Sequence, residues 1–459
     1  MNVAKVLAGG RMGGRARAIL AGAAMLLGGS AFGQDLGVKA PPQDKPLVLQ
    51  GATVHTVSGE TIPDGYVYFE GGVIRAVGKE PLPRLAGPVE IIDVKGKHVY
   101  PGLIGAYTQL GLTEIQAVRS SIDMSETGTI VPEVRAVVAV NPDSTLLPVT
   151  RSNGVLAVGV FPTGGRISGR AGVIRLDGWT WEQMAVKADA GLAVSWPNVR
   201  PFSAFGIDRP ETEQNDEIRR SLAVIDDAFK AAEAYARARA ADPSRPVDLR
   251  WEAMRGVLPP GEGGGAGPAQ NPVFILAGDV DQITSAVTWC LEKKLKPVIV
   301  GGRDAPLCAD LLKRHSVPVI ITGTHAFPKR TDSPYDEAFT LPARLHAAGV
   351  KFAIATGDDT AHERNLPYNA AMAVAFGLDH DAAIKSQTLW AAEILGVADQ
   401  LGSVEPGKSA TLIVTDGSPL EVTTKIERAY IDGRLIDLSN KQTKLADKYR
   451  EKYRQQQKK

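Results

Sequence analysis

The sequence predicts an α/β protein in which a central run of parallel βα units stands beside a smaller β-sheet. Three observations carry this. Short apolar runs alternate with helical periods through the middle of the chain, strand patterns split by Gly and Pro precede them, and similar strand patterns return after them. The 459 residues, 44% of them hydrophobic, suffice for one large domain and a second, smaller one. Fifty-two basic and 51 acidic residues leave a net charge of +1, so no electrostatic footprint for nucleic acid is present.

Residues 1–33 read as an export signal. Lys5, Arg11, Arg15 and Arg17 precede an apolar run at 18–27, and Ala31-Phe32-Gly33 ahead of Gln34 forms a small-x-small cleavage site. The mature protein is therefore expected in the periplasm or outside the cell, with no membrane span after signal cleavage. Residues 34–45 form a Pro-rich, polar linker. Apolar alternations at 47–57, 65–70, 73–78 and 89–94 predict strands of a small sheet.

The central strand-like runs are 155–161, 171–176, 273–277, 297–300, 317–322 and 351–356, and the helical periods between them predict parallel pairing. Residues 216–241 form a long, charged, Ala-rich helix, and 259–272 a Gly/Pro-rich loop. Asp177-Gly178-Trp179-Thr180-Trp181-Glu182 predicts a helix start with two packing indoles, capped by Thr180 or Asp177. Cys290 and Cys308 fall in helical runs and are expected as buried free thiols, although an exported chain permits a disulfide. Strands follow at 410–415 and 429–438, and 441–459 is a basic tail expected as an exposed helix.

The segment Pro101-Gly102-Leu103-Ile104-Gly105-Ala106-Tyr107-Thr108-Gln109-Leu110-Gly111 resembles the first barrel strand of the amidohydrolase superfamily, in which a Pro-Gly-Leu-Ile-Asp-x-His-x-His-Leu motif binds zinc or a similar ion. Leu401-Gly402-Ser403-Val404-Glu405-Pro406-Gly407-Lys408 and the Ile431-Asp432-Gly433-Arg434 hairpin are similar to its closing segment. The resemblance spans about residues 46–438, nearest the imidazolonepropionase-like, metal-dependent hydrolase branch. It implies a distorted TIM (β/α)8 barrel over 101–400, inserted in a composite β-sandwich built from 46–100 and 401–440. The implied activity is hydrolysis of carbon–nitrogen bonds in cyclic amides, imidazolone-like compounds or dipeptides.

Strand geometry explains the spaced histidine pair, because residues i and i+2 face the same side and both rings reach one ion. Here Tyr107 and Gln109 occupy those two positions and Gly105 the acidic one, while Leu276 and Gly301 stand at the later two histidine positions. A phenol with a pKa of about 10 and a neutral amide are poor ligands compared with imidazole, which binds at pH 7 without losing a proton.

Ala355-Thr356-Gly357-Asp358-Asp359 resembles the superfamily's Gly-x-Asp, which makes Asp359, with Asp358 its rival, either a catalytic base or a helix cap. Tyr107 is a candidate acid or oxyanion donor and Gln109 a candidate substrate contact. His325, His362 and Asp359 are the candidate set for a divalent metal such as zinc at a non-standard site; the alternative is that both histidines are solvated loop residues. Arg166 and Arg170, in a Gly-rich turn after a strand, suit a carboxylate. Arg330 lies in a polar loop either as a substrate contact or as half of an Arg–Asp clamp. His55, His98, His315, His346 and His380 read as structural. Two functions stay open. One is an exported carbon–nitrogen hydrolase with an atypical metal site. The other is a non-catalytic binding protein or subunit for a small molecule, as a homo-oligomer or paired with a histidine-bearing homologue.

Overall fold

The computed structural model describes residues 37–79, 81, 87–202, 209–260, 270–357 and 359–457. The expected export signal, Asp358 and most of the Gly/Pro-rich loop lie outside the described residues.

Five strands open the chain: β1 (Leu47–His55), β2 (Thr61–Glu70), β3 (Val73–Lys79), β4 (Glu90–Asp93) and β5 (His98–Pro101). β1 is their hub, antiparallel to β2 and parallel to both β4 and β5. Leu47, Val48 and Leu49 are buried in succession, so both faces of β1 are covered.

The barrel follows as β6 (Leu103–Thr108), β7 (Val155–Val160), β8 (Ile167–Arg175), β9 (Ala185–Ser195), β10 (Val273–Ala277), β11 (Pro297–Gly301), β12 (Val319–Thr322) and β13 (Phe352–Ala355), paired in chain order. All pairings are parallel except those of β8, which runs antiparallel to both β7 and β9. The expected parallel unit at 171–176 is thereby corrected. The links into and out of β8 are too short for the crossover that parallel neighbours require, and the second contains only the single turn Trp181–Met184.

Ile104, Phe161, Phe274, Val298 and Ile320 point into one interior cluster, and the helix Leu389–Leu395 packs Ala391, Ala392 and Leu395 against it. Among the described residues no ladder joins β13 to β6. Ile104 N instead donates to Gln387 O at 2.7 Å.

The chain returns to the first sheet with β14 (Leu412–Thr415), β15 (Ile426–Ile431) and β16 (Arg434–Leu435). β14 lies antiparallel to β5, and Ile74 N donates to Lys408 O at 2.8 Å, so the sheet curls until β3 meets the segment before β14. Its core holds Leu49, Val67, Phe69, Leu412 and Tyr430. Asp432 and Gly433, with φ of 49° and 70°, form the two-residue turn that joins β15 to β16. The result is the composite sheet and distorted barrel that the resemblance implies.

Smaller expectations divide. Thr180 caps Trp181–Met184, accepting from Gln183 N at 3.5 Å, but Trp179 is 60% exposed and does not pack. Asp177 does not cap; it is buried between Arg151 and Arg434. Cys290 and Cys308 are both free, the first buried and the second half-buried. Burial pushes the Cys308 thiol up to about 11, which keeps it protonated and unreactive at neutral pH.

Candidate functional site

The carboxy ends of the barrel strands open on a cavity of about 520 Å³, lined by Tyr107, Gln109, Leu276, Gly301, Arg303 and Thr322 among others. That is room for a small molecule. Tyr107 is the one aromatic residue in its described lining, and the ring centres of Tyr107 and the buried Phe161 lie 4.8 Å apart.

Two buried donors at this mouth are unspent. Gln109 Nε2 and Arg303 Nε are inaccessible and have no hydrogen-bond partner among the described residues. A buried donor left unpaired costs about 1–3 kcal/mol, and neither atom faces the cavity unless its side chain moves. Arg303 is held from its other end, where Nη2 donates to Phe327 O at 2.8 Å and to Glu337 Oε2 at 3.1 Å. Gln282, also in the wall, is already used: its Oε1 accepts from Gly278 N and Asp279 N, and its Nε2 donates to Asn198 Oδ1 at 2.9 Å. Burial raises the Tyr107 pKa, partly offset by the neighbouring Gln109 amide, so the phenol stays a neutral donor. Among the described lining residues Arg303 is the one formal charge and none is a carboxylate.

The other candidates take different places. Asp359 caps the 3-10 turn Thr360–Asn365, its Oδ1 accepting from Ala361 N at 3.1 Å and from Thr360 Oγ1 at 3.2 Å. His325 and His362 are exposed, and among the described residues no group of three or more His, Cys, Asp or Glu is placed to hold a metal ion. The candidate set of His325, His362 and Asp359 is therefore not assembled there. His325 in its loop and His362 on the 3-10 turn both lie at the surface, while Asp359 Oδ1 accepts from its own turn.

The two guanidinium groups of the Gly-rich turn part company. Arg170 pairs with Asp189 at 2.9 Å and donates to Glu133 O, so it is spent within the wall. Arg166 donates to Ser221 Oγ at 3.1 Å and lines a separate 270 Å³ cavity beside the long helix Glu211–Ala241. Arg330 is a clamp: Nη1 and Nη2 grip Asp304 at 3.0 and 2.6 Å, and Lys329 joins them at 3.0 Å.

Sequence reasoning passed over Glu363. It is fully buried, and its Oε2 accepts from the Thr356 hydroxyl at 2.8 Å. Burial pushes its pKa up to about 7, against a smaller pull from the Thr356 and Thr108 hydroxyls. A Cβ at Gly105 would come within 2.5 Å of Glu363 Oε1, so the carboxyl fills the space that the missing side chain on the first barrel strand leaves. The pairing of a glycine at the superfamily's acidic position with a distant acid was the available signal. Arg303 was also missed, since one Arg after a strand carries no motif.

The fold is a distorted barrel joined to a composite sheet, with a small-molecule-sized mouth at the strand ends. Residues 283–440 match the model of the Amidohydrolase family. The chain is 26% identical over 383 residues to an imidazolonepropionase of Mesorhizobium japonicum, covering 76% of this chain and 85% of that one. It is 23% identical over 439 residues to amidohydrolase tasK of Hapsidospora irregularis, which spans 85% of this chain but only 43% of that relative. An amidohydrolase structure from Thermotoga maritima superposes with a TM-score of 0.72 at 24% identity, over 85% of this chain and 99% of that one. The chain is thus similar to amidohydrolases over most of its length and shares their fold. The superfamily's metal does not fit the residues present, because Leu276 and Gly301 offer no donor side chain and Tyr107 and Gln109 offer weak ones, short of the three good ligands a catalytic zinc needs.

Proposed function

We propose that the barrel mouth binds a small molecule carrying a carboxylate or amide carbonyl, the class of compound on which the superfamily acts, and holds it without metal-assisted hydrolysis. The observation that carries this reading is the 520 Å³ cavity itself, lined by Tyr107, Gln109 and Arg303 with no carboxylate among its described lining. Arg303 supplies charge for an anionic end of the ligand, and Gln109 beside the neutral Tyr107 phenol supplies donors for a carbonyl. Leu276 and Val300 in the lining take the apolar part.

The chain is proposed to work outside the cytoplasm, supported by the ordered basic, apolar and small-residue regions of residues 1–33. Recovery of the uncleaved amino terminus from cytoplasm would end that part of the reading.

A second reading, hydrolysis of a carbon–nitrogen bond, is favoured by the Amidohydrolase family match and by the imidazolonepropionase relative. In it Tyr107 serves as proton donor and Asp359, or Asp358 beside it, as base. One experiment separates the two: calorimetric binding of dipeptides, N-acyl amino acids and cyclic amides, followed by product analysis with and without added divalent metal. Binding without turnover, weakened about tenfold or more in Gln109→Leu or Arg303→Ala, supports the first. Turnover that falls in Asp359→Asn installs the second.

A further inference from the structure

Among the described residues, the helix Lys441–Gln457 is hydrogen-bonded to the body only at its start. Asn440 is buried; its Oδ1 accepts from Gln442 N and Thr443 N at 2.9 and 3.1 Å, and its Nδ2 donates to Ser152 Oγ at 3.0 Å. Beyond that cap the helix has no buried residue. An isolated helix of this length is marginal in water, so a face that awaits a partner is the natural reading of its composition.

Its side chains are sorted into two faces. Leu445, Tyr449 and Tyr453 recur every four residues and form one stripe, 52%, 46% and 57% exposed. Lys452 Nζ lies 5.5 Å from the Tyr449 ring centre and 5.9 Å from that of Tyr453. Lys448 sits one turn before Lys452 on the same side. The two acids stand elsewhere and are neutralised, Asp447 by Arg450 at 2.7 Å and Glu451 by Arg454 at 2.6 Å. The aromatic stripe is thus bordered by lysine charge and not by carboxylates. Lys441, Lys444, Lys448, Arg450, Lys452 and Arg454 against Asp447 and Glu451 give the helix a net charge of +4 in a chain whose total is +1.

We propose that this face docks on an anionic phospholipid surface, with Leu445 and the tyrosine rings in the headgroup region and the lysines over the phosphates. Tyrosine and lysine are the residues that favour that interface, one for its amphipathic ring and the other for its long stem and terminal charge. Charge decides against the other occupants. A second copy of the helix would bring +4 against +4, and a stripe spaced strictly by four lacks the alternating three- and four-residue seam of a coiled coil. No helix among the described residues is long and apolar enough to cross a membrane, so the contact is peripheral.

The test is co-sedimentation of the purified full chain with vesicles of phosphatidylcholine alone or mixed equally with phosphatidylglycerol. Binding is expected to the mixed vesicles only and to be released by salt. Lys448→Glu with Lys452→Glu should weaken it at least about twentyfold, since each lysine near an anionic surface is worth about fivefold. Tyr449→Ser with Tyr453→Ser should weaken it too, with the thermal transition of the body unchanged in both variants because no altered side chain is buried. Absence of binding to the mixed vesicles, or binding that the Lys448→Glu, Lys452→Glu protein retains, would overturn the proposal. So would a dimer in light scattering that the same reversal dissociates.

Discussion

Thr356, just past the eighth barrel strand, donates its hydroxyl proton to Glu363 Oε2 at 2.8 Å, at the seam where the first and last barrel strands share no ladder. Glu363 lies against Gly105 of the first strand, so one side chain from the turn Thr360–Asn365 spans both edges of the opening. Thr360 Oγ1 donating to Thr113 O, and Asn153 Nδ2 donating to Arg364 O at 2.6 Å, fix the same turn from outside.

Protonation of Glu363 should therefore control stability. Its folded pKa, about 7, lies above the ordinary carboxylate value of 4.5, so the folded state binds the proton more tightly than the unfolded chain. The stabilisation is fully present below the unfolded value and is lost as pH rises through about 7, a change on the order of 3 kcal/mol. His55 works the other way, its pKa lowered to about 4 by burial and by His98, but that contribution is common to wild type and variant. Urea unfolding from pH 5 to 8.5 should show wild type losing stability relative to Glu363→Gln. Parallel curves would remove Glu363 from the seam's energetics.

Gly105→Ala tests the same contact from the other strand. Its Cβ would meet Glu363 Oε1 at 2.5 Å and Val158 Cγ1 at 3.1 Å, both on fully buried side chains. Overpacking of this kind costs about 1–3 kcal/mol. The cost should shrink in a Glu363→Ala background, because the clashing carboxyl is gone. Strictly additive losses in the double variant would show that the clash lies elsewhere.

The Asp304 clamp should matter for loop order more than for the core. Asp304 is buried and holds Arg330, Lys329 and Val280 N, which lowers its pKa to about 2. Arg330 is 44% exposed, so solvent screens part of the attraction, and Asp304→Ala should cost about 1–3 kcal/mol. Limited proteolysis should cut first between residues 325 and 336, and ligand affinity at the mouth should fall because Arg303 borders the same loop. A digestion pattern identical to wild type would count against the clamp.

How much of this the sequence made legible follows from the range of the signals. Strands 273–277 and 297–301 were visible because buried parallel strands are continuous apolar runs. β9 was overlooked although Val186, Ala188, Ala190, Leu192 and Val194 alternate through it, and with it went the antiparallel β8, whose direction depends on loop length and not on its own residues. At the site, Tyr107, Gln109, Leu276 and Gly301 were placed at the mouth by the resemblance to the superfamily's histidine positions, and side-chain period two explains why Tyr107 and Gln109 share one face. Arg303 and Glu363 were not, because their roles come from burial between elements far apart in the chain. The three residues assembled on paper into a metal set were each near a strand end, but nearness in sequence to the mouth does not turn His325 and His362 away from solvent.

The altered mouth should also resist simple reversion to a metal site. Purified wild-type protein is expected to hold no stoichiometric zinc, and Tyr107→His with Gln109→His should still fall short, two imidazoles being fewer than the three ligands required. Adding Leu276→His should give metal binding measurable by elemental analysis, at about one ion per chain, because those three positions border the same cavity. Gly301→His should not help in proportion. Gly301 has φ of 105°, a conformation that side-chain-bearing residues rarely adopt, and a Cβ there would sit 3.0 Å from Ala277 O. Backbone strain of about 1–3 kcal/mol should appear as a lowered melting temperature in the quadruple variant with little gain in metal content. Stoichiometric zinc in wild type, or a quadruple variant as stable as the triple, would show that the strand end retains a ligand geometry this arrangement of residues does not predict.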